Sequence, residues 1–404
     1  MGWDPGVESE SLCYIRKDTP MSMSTPISEN FKKINSLLIG RERKDATYKF
    51  ALLRGAIEIC EKSDQHRIAG SDPGWVTFPL GLMIEQWMLY YYPIYEEKIP
   101  QQKSEKNNAT KTKFRQSFDP VIAHYSQKES GYSKFVNDLS KGRFSADIRK
   151  AVFDLAKEIC NKVTGMPMVH LGTSVNEKIF VHKKKLPKFD TNAQISRDYL
   201  IDNFGTFSIR SDYYRAFVEV GPFVTGDKSI LFVWAQLTHD SMCNKKSFGD
   251  LLKIIATEPV KERDIQDSKT FFFQLQRKEG TLRSVWSGKT ITHVDENALD
   301  HMIPFSVWKN NELWNILPAL RTENQTKSDF IPHPELLDKQ KDLIVWYWNK
   351  MNEYDPDVFM KQIRYSLIGK DADKENWQEH AFTSLRKKSE YLITVLGYQS
   401  WSNP

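Results

Sequence analysis

Apolar residues recur at helical spacing over much of the first half of the chain. Residues 46–60, 78–92 and 145–163 each place them three or four positions apart, which predicts three helices with buried faces. Pro93 directly follows the second segment and Gly165 lies just beyond the third, and both residue types commonly end helices. The pattern therefore predicts a mainly helical N-terminal region.

Shorter stretches show the pattern that is typical of strands. Residues 166–171 and 178–182 are β-like, and Gly172 between them predicts a small hairpin. Residues 282–291 predict a second hairpin, with its turn at Ser287, Gly288 and Lys289. Residues 230–239 fit a helix best, although they are apolar enough for a strand.

Helical spacing returns beyond Pro332 and continues to the end of the chain. The sequence as a whole therefore predicts an α+β fold that is mostly α-helical. Four segments are expected: a flexible lead-in at 1–27, a helical recognition or partner domain with the small hairpin at 28–275, a compact α/β module at 276–335 and a C-terminal helical region at 336–404.

Composition and charge narrow the function classes. Of the 404 residues, 40% are apolar and 27% are charged, which is typical of a soluble globular protein. No apolar run is long enough for a transmembrane helix, and the first residues lack the apolar core of a secretory signal. The net charge of +5 permits nucleic-acid binding without arguing for it. The four cysteines are widely spaced, which favours free thiols in a reducing cytoplasm.

Residues 299–329 hold the clearest chemistry in the chain. Asp300 and His301 close a short apolar segment, and Asn315 and Asn324 follow in order. Carboxylate and amide oxygens are ligands that a hard divalent cation such as Mg²⁺ prefers. A neighbouring histidine can take a proton from water near neutral pH. These residue types suit the hydrolysis of a metal-bound phosphodiester by an activated water.

Both members of the Asp300-His301 pair cannot face the metal from an ideal strand, because adjacent side chains point to opposite faces. A bend at the strand end, just before Ile303 and Pro304, lets the carboxylate reach the ion and the imidazole reach the water. The sequence therefore predicts a strand that bends directly after the pair.

The segment resembles the HNH nuclease motif, in which a ββα-metal fold places a base on the first strand and a metal ligand on the helix. It is especially similar to the HNH domains of RNA-guided CRISPR effector nucleases. Those begin Asp-His-x-x-Pro-x-Ser, carry a central Asn and end Asn-x-x-Lys-Ser-Asp, as residues 300–306, Asn315 and residues 324–329 do here. The resemblance covers about residues 280–335, and it identifies 276–335 as the nuclease module.

The resemblance implies a role for each of these residues. His301 is the general base, and Asp300 and Asn324 hold Mg²⁺ or Mn²⁺. Asn315 ties the connecting loop and orients the histidine, while Lys327 holds phosphate or braces the helix. Because the third position of the motif is Asn instead of His, the site is an HNN variant.

Many HNH proteins carry CxxC pairs that bind a structural zinc beside the motif. Here serines, Ser284 and Ser287, stand at the comparable positions. No structural zinc is therefore expected, and packing by the flanking helical regions has to hold the module. The helix expected near residues 47–54 also resembles the region that precedes HNH modules in many bacterial proteins, and this likeness implies no activity.

The resemblance implies a metal-dependent DNA endonuclease, by analogy one of cytoplasmic restriction or antiphage defence. DNA is the expected partner, the assembly is either a homodimer or a larger defence complex, and no membrane partner is expected. Two alternatives stay open: a nuclease subunit that a partner complex licenses, and a non-catalytic DNA-binding protein. Basic stretches at 183–185, 245–246 and 386–388 are candidate phosphate contacts, and solvated surface explains each one equally well.

Overall fold

The protein was analysed as a computed structural model. The structure describes residues 32–37, 46–69, 72–108, 112–126, 131–172, 177–220, 229–241, 246–258, 265–292, 297–308, 310–369 and 375–402. The lead-in expected at 1–27 lies outside these ranges.

Helices make up most of the described chain. Up to residue 255 they are α1 (Tyr48–Lys62), α2 (Leu80–Glu96), α3 (Lys113–Gln116), α4 (Asp119–Tyr125), α5 (Gly131–Lys141), α6 (Ala146–Gly165), α7 (Pro167–His170), α8 (Arg197–Asn203), α9 (Ser211–Val220), α10 (Ile230–Ser241) and α11 (Phe248–Ile255). Beyond it they are α12 (Gln266–Glu279), α13 (Phe305–Trp308), α14 (Arg321–Lys327), α15 (Pro334–Tyr354), α16 (Pro356–Ile363) and α17 (Trp377–Thr394). Residues 32–37 are also helical.

The strands are short and fall into several small sheets. They are β1 (Trp75–Pro79), β2 (Phe180–Lys184), β3 (Gly205–Arg210), β4 (Leu282–Arg283), β5 (Thr290–Ile291), β6 (Asn297–His301), β7 (Ile316–Leu320), β8 (Ile331–Pro332) and β9 (Ser400–Trp401). Single 3₁₀ turns lie at Asp64–His66, Lys103–Asn108 and Leu313–Asn315, and a π-helical turn lies at Arg364–Ile368.

Helix α2 lies at the centre of the first hydrophobic core, and most of its side chains are buried. The sequence predicts an end at Pro93, but the helix continues to Glu96 with the proline inside it. Proline has no N–H to offer the carbonyl of Leu89, and the Tyr132 hydroxyl donates to that oxygen instead, at 2.8 Å. Tertiary contacts therefore carry the helix through a residue that usually ends one.

A three-stranded antiparallel sheet in the order β1-β3-β2 packs against this core. The sequence predicts a hairpin between residues 166–171 and 178–182, and this prediction is wrong. Pro167–His170 form helix α7, since proline is favoured at the first position of a helix. The second stretch does form a strand, but it pairs with β3, with Phe180 opposite Ile209.

Two other sequence predictions are confirmed. Residues 230–239 lie within the helix α10, despite an apolar content that also suits a strand. Strands β4 and β5 form the predicted hairpin, with Leu282 opposite Ile291. Gly288 in its turn has a φ of +72°, a conformation that side chains other than glycine rarely adopt.

A second hydrophobic core surrounds the hairpin of β6 and β7. Helix α14 packs on both strands, and α12 packs on β7. The indole N–H of Trp348 in α15 donates to the carbonyl oxygen of Trp314 at 2.9 Å, just before β7 begins. The long C-terminal helices therefore support the segment that carries the Asp-His pair.

The two cores meet at the π-helical turn. The ring of Tyr365 lies 4.9 Å from the ring of His66, which belongs to the first core region. The Arg197 guanidinium lies 4.4 Å from the same tyrosine ring and pairs with the buried Glu85 at 2.5 Å. One aromatic side chain of the second region is thus held between two groups of the first.

A close backbone contact reinforces this junction. Gly369 has a φ of +78°, and a Cβ at this position would lie 1.7 Å from the carbonyl oxygen of Gln65. The side-chain amide of Gln65 also donates to the carbonyl of Tyr365 at 3.1 Å. Only glycine therefore fits where the turn leaves the junction.

The architecture is α+β and mostly helical, as the sequence predicts. The segment boundaries at residues 27, 275 and 335 stay predictions. None of the helices in the described ranges combines the length and apolar character that crossing a bilayer requires.

Candidate active site

Strand β6 ends on Asp300 and His301, which pair in antiparallel register with the first two residues of β7. The chain bends over the next two residues, where the sequence predicts a bend. The amide N–H of Met302 donates to the carbonyl oxygen of Asn315 at 2.6 Å. This bond fixes the bend against the start of the partner strand.

The Asp300 carboxylate is buried between an indole and an ammonium group. Its Oδ2 accepts a hydrogen bond from the indole N–H of Trp286 at 2.8 Å. The Lys327 ammonium of α14 lies 3.3 Å from Oδ2 and 3.5 Å from Oδ1. The two charged side chains are 4% and 0% exposed, so each charge depends on the other for compensation.

Lys327 also links the helix to the end of the strand. Its ammonium donates to the carbonyl oxygen of His301 at 2.8 Å and lies 5.4 Å from the centre of the Trp286 ring. Because Lys327 is the last residue of α14, these contacts anchor the C-terminal end of the helix beneath the Asp-His pair.

The His301 ring lies under the loop that follows the bend. Its Nε2 is 3.2 Å from the side-chain oxygen of Asn311, and its ring centre is 5.5 Å from that of Phe305. The residue is only 1% exposed. The imidazole is therefore almost completely shielded from solvent in this structure.

Asn315 ties the two ends of the same loop. Its Oδ1 accepts from the N–H of Ile303 at 2.8 Å, and its Nδ2 donates to the carbonyls of Ile303 and Asn310 at 3.1 Å each. The side chain is completely buried. Asn315 thus holds the backbone that immediately follows His301, as the sequence comparison implies for the central Asn of the motif.

Asn324 lies on α14, one turn before Lys327. Its side chain is half-buried and lines a cavity of about 530 Å³ between α12, β6 and α14, which Asn297 and Leu299 also line. Asp300 is not among the residues that line this cavity. The structure therefore brings Asp300, His301 and Lys327 into direct contact and places Asn324 in the wall of the cavity.

The donor types fit a hard divalent cation, because Asp300 offers carboxylate oxygens and Asn324 an amide oxygen. Across the described ranges, no three His, Cys, Asp or Glu side chains gather as a metal site. Mg²⁺ keeps several waters and needs only one or two carboxylates, so the two donor types suit it, while in this structure the buried Asp300 carboxylate pairs with the Lys327 ammonium.

Three residues at this site escape sequence reasoning. Trp286 and Ser284 belong to the segment in which serines stand in place of zinc-binding cysteines. The absence of cysteines there does not predict the hydrogen bonds that these two side chains make. The Ser284 hydroxyl donates to Glu323 and accepts from the N–H of Leu320 at 3.3 Å. Asn311 has no fixed place in the motif, so only the fold brings it to His301.

The fold and the site define the class of this domain. A family model described as HNH endonuclease matches residues 284–333, which include the β6–β7 hairpin and α14. The chain is also 29% identical over 159 residues to the CRISPR-associated endonuclease Cas9 of Streptococcus mutans. That alignment covers 37% of this chain and 11% of the relative, so the match spans a small part of that protein.

A second family model, described as a domain of unknown function (DUF8808), matches residues 28–255, which is more than half of the chain. The protein therefore belongs to the DUF8808 family and carries an HNH endonuclease domain in its C-terminal part. No solved structure matches the chain.

Proposed function

We propose that this protein is an endonuclease that hydrolyses DNA phosphodiester bonds. The observation that carries the proposal is the Asp300-His301 pair at the bent end of β6, joined to α14 by the buried Lys327. This arrangement lies within the residues that match the HNH endonuclease model. DNA is the substrate that such a domain implies.

The residues of the site have separate roles in the proposed reaction. Asp300 and Asn324 hold Mg²⁺ or Mn²⁺, which when bound supplies positive charge to the scissile phosphate and the leaving 3′ oxygen. His301 takes a proton from the attacking water, and the cut strand keeps a 5′ phosphate. Asn315 fixes the backbone beside the base, and Lys327 keeps the carboxylate and the helix in register.

A specific observation favours a second, regulated form of this function. The His301 ring is 1% exposed, and Asn311 lies against its Nε2. An enzyme in this state stays silent until a partner or a substrate moves the loop. Restriction or antiphage defence, with a homodimer or a larger complex, is the context we infer by analogy with HNH nucleases.

The direct test is plasmid cleavage by the purified full chain with Mg²⁺. His301→Ala should cut 10²- to 10⁴-fold more slowly, the usual contribution of a general base. His380→Ala is the matched control, because His380 is exposed on α17. EDTA should abolish cutting by the wild type.

Each alternative result has a definite meaning. Equal cutting by wild type and His301→Ala rules out His301 as the base, and cutting that survives EDTA contradicts the metal ligands. If the wild type cuts neither plasmid nor single-stranded DNA but Asn311→Ala cuts either of them, the regulated form of the function is correct. If both proteins bind DNA and neither cuts, the chain is a binding protein.

A further inference from the structure

We infer that the cavity between α12, β6 and α14 binds one unpaired nucleotide of the DNA strand, next to the bond that is cut. The inference rests on the proposed endonuclease function and names a part of the substrate for it. Helix α12 supplies one wall of the cavity and lies outside the residues that match the HNH model. The nucleotide site is therefore a feature of this chain beyond the motif.

The first argument is an exposed aromatic ring. Phe273 lines the cavity and is 64% exposed, the largest exposed fraction among the large apolar side chains of the described residues. Its neighbour Phe272 is buried in the second core, while the Phe273 ring projects outward with the Arg277 guanidinium 5.8 Å from its centre. Every base has a flat face that can stack on such a ring, which makes an exposed aromatic a typical platform for single strands.

The second argument is charge. The charged residues that line the cavity are Lys269 and Arg321, both cationic and both exposed. Lysine and arginine side chains bind phosphate oxygens through charge-assisted hydrogen bonds. A phosphate on either side of a stacked base therefore meets a favourable potential here.

The third argument is an acceptor without a donor. Asn297 lines the cavity, and its side-chain Oδ1 is buried and accepts no hydrogen bond within the described part of the chain. Leaving a buried acceptor unpaired is costly. The edges of adenine and cytosine carry amino groups that would satisfy it. Gln276 and Gln325 line the same space and offer further amide contacts.

Position and size complete the argument. Leu299 lines the cavity and lies on the strand that ends at His301, while the cavity also includes Asn324, the proposed metal ligand. A volume of about 530 Å³ lies in the range of small-molecule sites and suits a single nucleotide. A base presents its face to the Phe273 ring only after it has left the stack of its own strand.

The test measures DNA binding without cutting. A short single-stranded oligodeoxynucleotide that carries one 2-aminopurine is titrated with the full chain in EDTA, and both anisotropy and 2-aminopurine fluorescence are followed. Phe273→Ala should weaken binding by about tenfold and relieve the quenching, since stacking of one base is lost. Phe273→Tyr keeps a ring and should restore both signals. Lys269→Gln should lower the salt dependence by about 0.7 in the log–log slope.

Matched controls lie elsewhere on the surface. Tyr398→Ala removes an exposed aromatic, and Lys339→Gln removes an exposed helical lysine. Both variants should bind as the wild type does. Wild-type affinity and quenching in Phe273→Ala would overturn the inference. Deoxyadenosine monophosphate that competes as tightly as the oligonucleotide would also overturn it, because the cavity would then serve a free nucleotide.

Failure of this inference and failure of the proposed function give different results. If Phe273→Ala loses binding and quenching while no cutting depends on His301, the nucleotide site stands and the nuclease proposal fails. If His301-dependent cutting is present and Phe273→Ala binds normally, the nuclease stands and the nucleotide site does not.

Discussion

The Asp300 carboxylate and the Lys327 ammonium form a buried ion pair within reach of the Trp286 indole. Such a pair is costly to bury, and removing one partner leaves the other charge without compensation. The pair therefore has two consequences at the scale of single residues. It holds the carboxylate in place for a cation, and it makes the site depend on its own lysine.

Lys327→Met tests this dependence. We expect the free energy of unfolding to fall by about 3 kcal/mol, because the change leaves a buried carboxylate unpaired. Chemical denaturation, monitored by a spectroscopic signal from the second core, measures this fall in the free energy of unfolding. The double variant Asp300→Asn/Lys327→Met should lose much less than the two single changes together. Lys339→Met on the surface should change stability by under about 0.5 kcal/mol, and an equal loss in both lysine variants would contradict the pair.

The sequence predicts part of this site well. The types, order and spacing of Asp300, His301, Asn315 and Asn324 predict the hairpin and helix that carry them, while their roles in catalysis stay predictions. Trp286 could not be predicted in the same way. Its contact with Asp300 bridges two separate sheets, and no local pattern encodes that approach.

At the scale of elements, a strand of two residues supports the active site. Strand β9 pairs in parallel with β8, and Trp401 in it is 7% exposed. The rings of Trp401 and Trp286 meet edge to face, with their centres 5.4 Å apart. The strand thus packs behind the indole that holds Asp300.

Trp401→Ala should therefore destabilise the second core by about 3 kcal/mol, the usual cost of removing a buried tryptophan. Thermal and denaturant unfolding of the full chain provide the measurement. Tyr398→Ala in the same segment is the control, because Tyr398 is 40% exposed. A similar small loss in both variants would show that β9 does not support the site.

Element predictions fail where tertiary contacts override local preference. Helix α2 passes through Pro93 because Tyr132, far along the chain, takes the role of the missing donor. Residues 166–171 have the composition of a strand but form α7 from Pro167. Long amphipathic helices such as α6 are predictable, because their spacing repeats over many turns.

At the scale of the whole molecule, the junction at Tyr365 connects the DUF8808 region to the nuclease domain. Ser366 in the same turn donates a hydrogen bond to Glu312, and Glu312 accepts from the Trp314 indole at 2.5 Å. Asn311 and Asn315 lie directly beside these residues. The junction therefore contacts the loop that covers His301. The sequence does not predict this contact between the junction and the loop, because the contact depends on how two separate cores pack together.

The same junction is expected to weaken in acid. Burial, together with the positive charges of Arg197 and Lys388, lowers the pKa of His66 from 6.5 to about 4. Between pH 6.5 and 4, His66 binds a proton in the unfolded chain and is neutral in the native protein. Stability therefore falls as the pH falls through this window.

His66→Phe should lose less stability than the wild type between pH 6.5 and 4, since it removes this titrating group. Unfolding free energies at several pH values give the two slopes. His380→Phe, at an exposed position, should keep the wild-type slope. Parallel slopes for wild type and His66→Phe would show that His66 does not govern acid sensitivity.

The surroundings of the Trp286 indole also affect the absorption and circular dichroism of the protein. The indole donates to Asp300, lies beside the Lys327 ammonium and meets Trp401 edge to face. Two indoles this close couple their electronic transitions, and the field of neighbouring charges shifts their absorption. The difference in near-ultraviolet circular dichroism between wild type and Trp286→Phe is therefore an optical signal of the active site. A titration with Mg²⁺ can be followed by this signal without any DNA.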